Sequence, residues 1–202
     1  MPRDVRPWQD AASARARARE LAPKIHAARR RVIAHHEAGH LIVAAHLGVM
    51  VDEVSVEVAR RFSLGAVHVH GGRGRPRQAV LATILAAGGE AERRFTGVPP
   101  QGIEADEAQL AGMAPRTVST GRVRAAMMVQ RLWPYIEKLA EILADPDNGL
   151  MSGETAIFVA LWAVHGTDEA RLRMTRPGRP DFDDSIGLRW PVVRHRAERP
   201  SS

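Results

Sequence analysis

The chain has no cysteine. That excludes disulfides, thiolate zinc fingers, iron–sulfur clusters and a cysteine nucleophile. Lysine is almost absent: of 29 Lys and Arg residues only Lys24 and Lys138 are lysine. Neither follows a glycine, so the chain carries no GxxxxGK(S/T) phosphate loop and no P-loop ATPase of its own. Long apolar runs are missing as well. Gln78–Gly89 and Thr155–Thr167 come nearest, and both fall short of the roughly 18 residues that a membrane-spanning helix needs. No apolar signal-peptide core follows the charged N-terminus, so a cytoplasmic location without a membrane span is expected.

What is present is enough for a core. The 202 residues are 45% hydrophobic and 26% charged, with a formal charge of +6. A chain of this size can bury about 70% of its unfolded surface, which suits one domain with flanking tails. Residues 1–28 read as a basic, Arg/Ala-rich arm, helical in part from Ala11 to Leu21. From Arg29 to Leu47 apolar residues recur at steps of three and four, the period of a helix. Val51–Val58 alternates apolar and polar, as does Gly65–His70, which predicts a pair of half-buried strands. Val67 and Val69 would face the core, and His68 and His70 the solvent. Helices are predicted at Gln78–Phe95, Ile103–Met113, Gly121–Ala144 and Ser152–Val164. The third is the longest and Pro134 should kink or break it; Ser152 is an N-cap for the last. Residues 166–202 lose periodicity and read as an extended tail.

One constellation carries chemistry. Residues 36–40 read His36-Glu37-Ala38-Gly39-His40, an H-E-x-x-H pattern inside a helical segment. Positions i and i+4 share a helix face, so two imidazoles can hold one zinc ion. Glu37 can then reach the solvent ligand of that ion and take its proton. A third protein ligand and an open fourth position are required for catalysis.

Around this pattern the chain resembles the peptidase domain of the FtsH-type ATP-dependent zinc metalloproteases. His36–His40 followed by Leu41–Ala45 matches the signature helix of that family. Asp52–Val58 and Leu64-Gly65-Ala66-Val67 match its strand pair. Ala87-Gly88-Gly89-Glu90-Ala91-Glu92, closing at Gly97, matches its glycine-rich helix. Gly102-Ile103-Glu104-Ala105-Asp106 matches the segment that supplies its aspartate ligand. Glu137-Lys138-Leu139-Ala140 and Leu150-Met151-Ser152-Gly153-Glu154 fit its closing helices. The resemblance covers about residues 29–165. It implies a mainly α, zincin-like fold with a small strand pair beside the metal helix. It also implies Zn2+ held by His36, His40 and Asp106, Glu37 as general base, and a polypeptide as substrate, with Glu104, Glu107, Glu90 and Glu92 as competitors for the third position. The family works through an ATPase and as a hexamer. This chain would need flexible substrates or a separate ATPase, and its own oligomeric state is open.

Two other readings compete. The fold could be a metal-binding interaction domain without proteolysis, against which the retained Glu37 argues. Gly72-Arg73-Gly74-Arg75-Pro76-Arg77 resembles an AT-hook core, and Arg176-Pro177-Gly178-Arg179-Pro180 repeats part of it. Arginines in an extended segment suit a narrow minor groove. Short basic runs are weak motifs, so a nucleic-acid partner is the disfavoured reading.

Overall fold

A computed structural model describes residues 7–58, 63–69, 77–167, 170 and 173–174. The chain runs α1 (Pro7–His46), β1 (Val51–Val58), β2 (Ser63–Val69), α2 (Gln78–Thr96), α3 (Glu104–Ala111) and α4 (Pro115–Leu143). A single 3-10 turn (Pro146–Asn148) then leads to β3 (Leu150–Ser152) and α5 (Gly153–His165). The protein is mainly helical with one small antiparallel sheet, in the order β2-β1-β3. Among the described residues no helix is long and apolar enough to cross a membrane.

α1 is the axis of the fold. Its residues from Ala34 to Ala45 are all buried, the polar His35, His36, Glu37 and His40 included, so this stretch is wrapped on every side. α2 and α4 pack along it and against each other. α4 presents Ala125, Met128, Val129, Leu132, Ile136, Leu139, Ala140 and Leu143 to the core, a seam at helical spacing. α5 adds Ala156, Ile157, Ala160 and Leu161, and the sheet adds Val51, Val54 and Val56.

The helices approach closely where the sequence is small. A methyl built at Gly39 would lie 2.6 Å from the Ala91 Cβ and 2.7 Å from the Ala87 carbonyl oxygen. One at Gly121 would lie 2.8 Å from the Ala82 Cβ. Glycine and alanine at these crossings therefore set how near α2 comes to α1 and α4.

β1 is the central strand. Val54 pairs with Val67 and Val58 with Ser63, and the register shifts between Val51 and Glu53. That irregularity resets the alternation, so Val51, Val54 and Val56 are all buried although strict period two would put Val51 on the other face. β3 pairs with the opposite edge of β1 through Leu150, Met151 and Ser152. The expected strand pair is thus a three-stranded sheet. Three residues of β3 are too few for alternation to register in the sequence.

Other differences have physical reasons. α1, not α4, is the longest helix, and it runs unbroken through Pro23 and past Arg29. Its first half has only a thin apolar stripe, Leu21 and Ile25 among alanines, so the sequence shows helix there only in part, from Ala11 to Leu21, yet alanine and arginine are strong helix formers. α4 begins at Pro115, where a missing N–H costs nothing in the first turn, and continues through Pro134. Pro134 and Gln130 are exposed, so water can serve the carbonyl that loses its donor. Ser152 caps α5 as expected, accepting from the Thr155 N–H. Thr167, Ala170, Arg173 and Met174 are helical where an extended tail was expected. His70, residues 71–76 of the first arginine loop and residues 175–202 lie outside the described residues, as do the side-chain directions expected of Val67, His68 and Val69.

The α1–α2 crossing gives a direct check. Gly39→Ala forces a shift of α2 and should cost about 1–3 kcal/mol, the usual penalty of an overpacked core. Chemical denaturation would read this as a lowered midpoint with unchanged slope.

Candidate metal centre

The arrangement starts from the imidazoles. His36 and His40 lie one turn apart on the buried stretch of α1, with their Nε2 atoms 3.0 Å from each other. Asp106 Oδ2 lies 3.1 Å from both. These are the three residues whose ligand atoms converge, and the group could hold a metal ion.

The opposite sides of the rings decide what these atoms offer. His40 Nδ1 is 2.8 Å from the Ile84 carbonyl oxygen. A carbonyl only accepts, so Nδ1 carries the proton and, in the neutral ring, Nε2 carries a lone pair. His36 Nδ1 is 3.1 Å from Glu92 Oε2, and an ionised carboxylate imposes the same tautomer. Two nitrogen lone pairs and a carboxylate oxygen thus point at one another across about 3 Å. Only protons or a cation can satisfy that geometry.

The chain clears the space for it. A methyl at Gly88 of α2 would lie 2.7 Å from His36 Nε2 and closer still to His40 Nε2. Glycine in a helix interior costs roughly 1 kcal/mol relative to alanine, so its presence here reflects room kept beside the two donors.

Asp106 is carried in by α3, whose first turn it occupies. The path from α2 turns through Gly97 and Gly102, both at left-handed φ (75° and 77°) that favours glycine. Glu92 ties this connection down. Besides accepting from His36, it accepts from the Gln101 N–H at 2.6 Å. One buried carboxylate thereby orients a ligand and fixes the loop that delivers another.

The electrostatics follow. Burial alone would lower the His36 pKa, but the bonds to Asp106 and Glu92 outweigh it and raise it to about 9. Asp106 is pulled the opposite way, well below the usual carboxylate range, because its bonds to His36 and His40 outweigh its burial. Glu37 is buried and burial raises its pKa, against the attraction of His40 and His36.

Of the candidate third ligands, Asp106 joins the two histidines. Glu92 stands behind His36, and its role there is support. Glu90 pairs with Arg93 and Glu107 with Arg122, while Glu104 is exposed. Three participants escape the sequence reading: the Ile84 carbonyl, the Gln101 amide and Gly88. Only Gly88 leaves a signal, as one of two adjacent glycines inside an otherwise strong helical run. His35 is buried, with Nδ1 2.7 Å from the Arg31 carbonyl and its ring stacked on Phe95 at 3.7 Å; it belongs to the packing. No protein-family model matches the chain, and no curated protein matches it.

Metal titration should separate these roles. Asp106→Ala and Gly88→Ala should lose tight binding of a divalent ion, and Glu104→Ala should keep it. Glu92→Gln should weaken it by about 10–100-fold, the usual cost of removing a partner behind a ligand. Undiminished affinity in Asp106→Ala would remove that residue from the centre.

The raised His36 pKa fixes a pH dependence. With no ion bound, His36 favours folding in full below about pH 6.5, its unperturbed value, and loses that contribution as pH rises through about 9. A bound ion replaces the proton. The metal-free protein should therefore lose stability between these limits, and the loaded protein should lose much less. Near pH 7.5, binding should release about one proton, read by calorimetry in buffers of different ionisation enthalpy.

Proposed function

We propose that the chain is a zinc-dependent metallopeptidase, similar to the peptidase domain of FtsH-type proteases, that hydrolyses flexible or partner-delivered polypeptides. The observation that carries this reading is a three-donor cluster able to hold a metal ion, with Glu37 buried at the position that follows His36 on the same helix. His36, His40 and Asp106 would hold the ion. Their separations are 3.0–3.1 Å, a few tenths of an ångström short of the roughly 3.3–3.4 Å between ligand atoms on a tetrahedral ion with bonds of about 2.0–2.1 Å, so a small spreading of the three side chains would admit it. Two imidazoles with one carboxylate favour a first-row transition metal over magnesium or calcium, and three protein ligands leave a position open, as catalytic zinc sites do.

When bound, zinc lowers the pKa of water toward about 7 and polarises a carbonyl. The remaining chemistry belongs to the chain. Glu37 follows His36 directly in the buried stretch of α1, and a carboxylate there would be the group to accept a proton and return it to a leaving amine. Glu92 and the Ile84 carbonyl hold both rings with their Nε2 atoms toward the centre. Gly88 keeps the space beside them open.

The purified protein should contain about one zinc per chain, and His40→Ala should abolish it. Glu37→Gln should keep the metal while hydrolysis of a fluorescently labelled unfolded polypeptide drops by about 10²–10⁴-fold, the usual weight of a general base. Hydrolysis that survives Glu37→Gln would refute the assigned mechanism. Metal binding without hydrolysis in the native protein would favour a non-proteolytic interaction domain.

A further inference from the structure

α1 does more than carry the metal ligands. Residues 16–31 are almost wholly exposed, including Leu21 at 46% and Ile25 at 50%. Ala16, Ala22 and Ala27 lie off any common line, but the two large apolar residues share one. Ala18, Leu21, Ile25, Ala28 and Val32 follow alternating steps of three and four, the 3.5-residue repeat of a helix–helix seam. In the sequence the same spacing extends back to Ala14 and Ala11.

This seam continues a face that is already occupied further along. One and two steps on lie His35 and Gly39. His35 stacks on Phe95, and Gly39 meets Ala87 and Ala91, so α2 covers α1 there. α2 runs antiparallel to α1 and ends at Thr96, level with His35, under a left-handed Gly97 cap. Beyond that point the α1 face has no covering helix among the described residues. Its drift of about 20° per seven residues leaves it on nearly the same side.

The flanks of the seam identify the chemistry of an occupant. Arg17, Lys24 and Arg31 line one side at seven-residue intervals and Arg29 stands on the other; all four are exposed. Over residues 16–31 the chain carries six Arg or Lys and one acidic residue, Glu20. A second copy would bring like charge against like charge, which disfavours self-pairing. A helix with acidic residues beside its own apolar seam complements this surface. The apolar stripe is too narrow for a membrane-lying helix, which uses a broad, bulky apolar face. Nor would phosphates on DNA use a seam of Leu21 and Ile25.

We propose that the α1 arm docks an acidic amphipathic helix of another protein, laid on the face of α1 that α2 covers further along. The occupant would extend the line of α2. Ile25 lies 11 residues before His36, about 16 Å along the helix, so the docked partner would stand beside the metal centre on the same element. The proposal holds whether or not that centre is a peptidase site.

The probe is a synthetic helical peptide of about four heptads with leucine at a and d and glutamate at e and g, titrated against the full-length, metal-loaded protein. A sequence-scrambled peptide, phosphatidylserine-containing vesicles and a short DNA duplex are run in parallel. The ordered acidic peptide should bind, more weakly at high salt, and the scrambled one should bind much less. The double variant Leu21→Asp/Ile25→Asp, outside the core, should keep its metal and lose at least about tenfold in peptide affinity, since two apolar side chains forfeit their burial. Equal binding by that variant, or equal binding of the scrambled peptide, would overturn the proposal. So would vesicle or DNA binding that depends on Leu21 and Ile25 without peptide binding, or self-association through those residues. Binding is read without reference to hydrolysis, so failure here leaves the peptidase reading untouched, and the reverse holds as well.

Discussion

Two imidazole lone pairs and a carboxylate oxygen held about 3 Å apart form the constraint around which this molecule is arranged. Left to themselves, such groups separate or share protons. They stay together because each ring is gripped from behind, His40 by the Ile84 carbonyl and His36 by Glu92. Those grips come from α2, the loop that brings Asp106 is tied to Glu92, and α2 reaches its place only because Gly39 and Gly88 lack a Cβ. Packing and electrostatics are therefore one problem here. A helix crossing a fraction of an ångström wider would loosen every grip at once.

Burial has opposite consequences for neighbouring groups. His35 and His36 are consecutive and both buried. Burial dominates at His35 and lowers its pKa. At His36 two carboxylates reverse the effect. The difference lies in partners rather than depth: His35, stacked on Phe95, feels Glu137 and Glu141 only at a distance and Arg31 against them, whereas His36 is bonded directly to Asp106 and Glu92. This is why the first of the pair behaves as core and the second as a donor.

The parts of the fold legible in the sequence were those with strong local signals. The H-E-x-x-H turn, the first two strands, the α2 and α5 helices and the Ser152 cap each follow from spacing or a single side chain. Asp106 could be placed among five acidic residues only by resemblance, because nothing local distinguishes it from Glu104 or Glu107; the turn through Gly97 and Gly102 makes the distinction in space. β3 has too few residues to show a period. The start of α1 is legible only in part, from Ala11 to Leu21, because helix propensity more than its thin apolar stripe sustains it, and its continuity through Pro23 leaves no local signal. The supports from Ile84 and Gln101 are main-chain groups and carry no sequence signature.

The start of α1 matters for what the molecule presents to others. A helix stabilised by its own propensity, without a body to lean on, can afford an apolar stripe only if that stripe is thin and its flanks are charged, or it would draw in copies of itself. Residues 16–32 meet that condition with alanine at two of the five seam positions, Ala18 and Ala28, and basic side chains along the edges. The same helix then enters the core and carries His36 and His40 of the candidate metal site without a break. An exposed basic face with a thin apolar stripe and a buried cluster of donors thus share one helix, and the point where one gives way to the other is His35, where α2 ends and its cover over α1 stops.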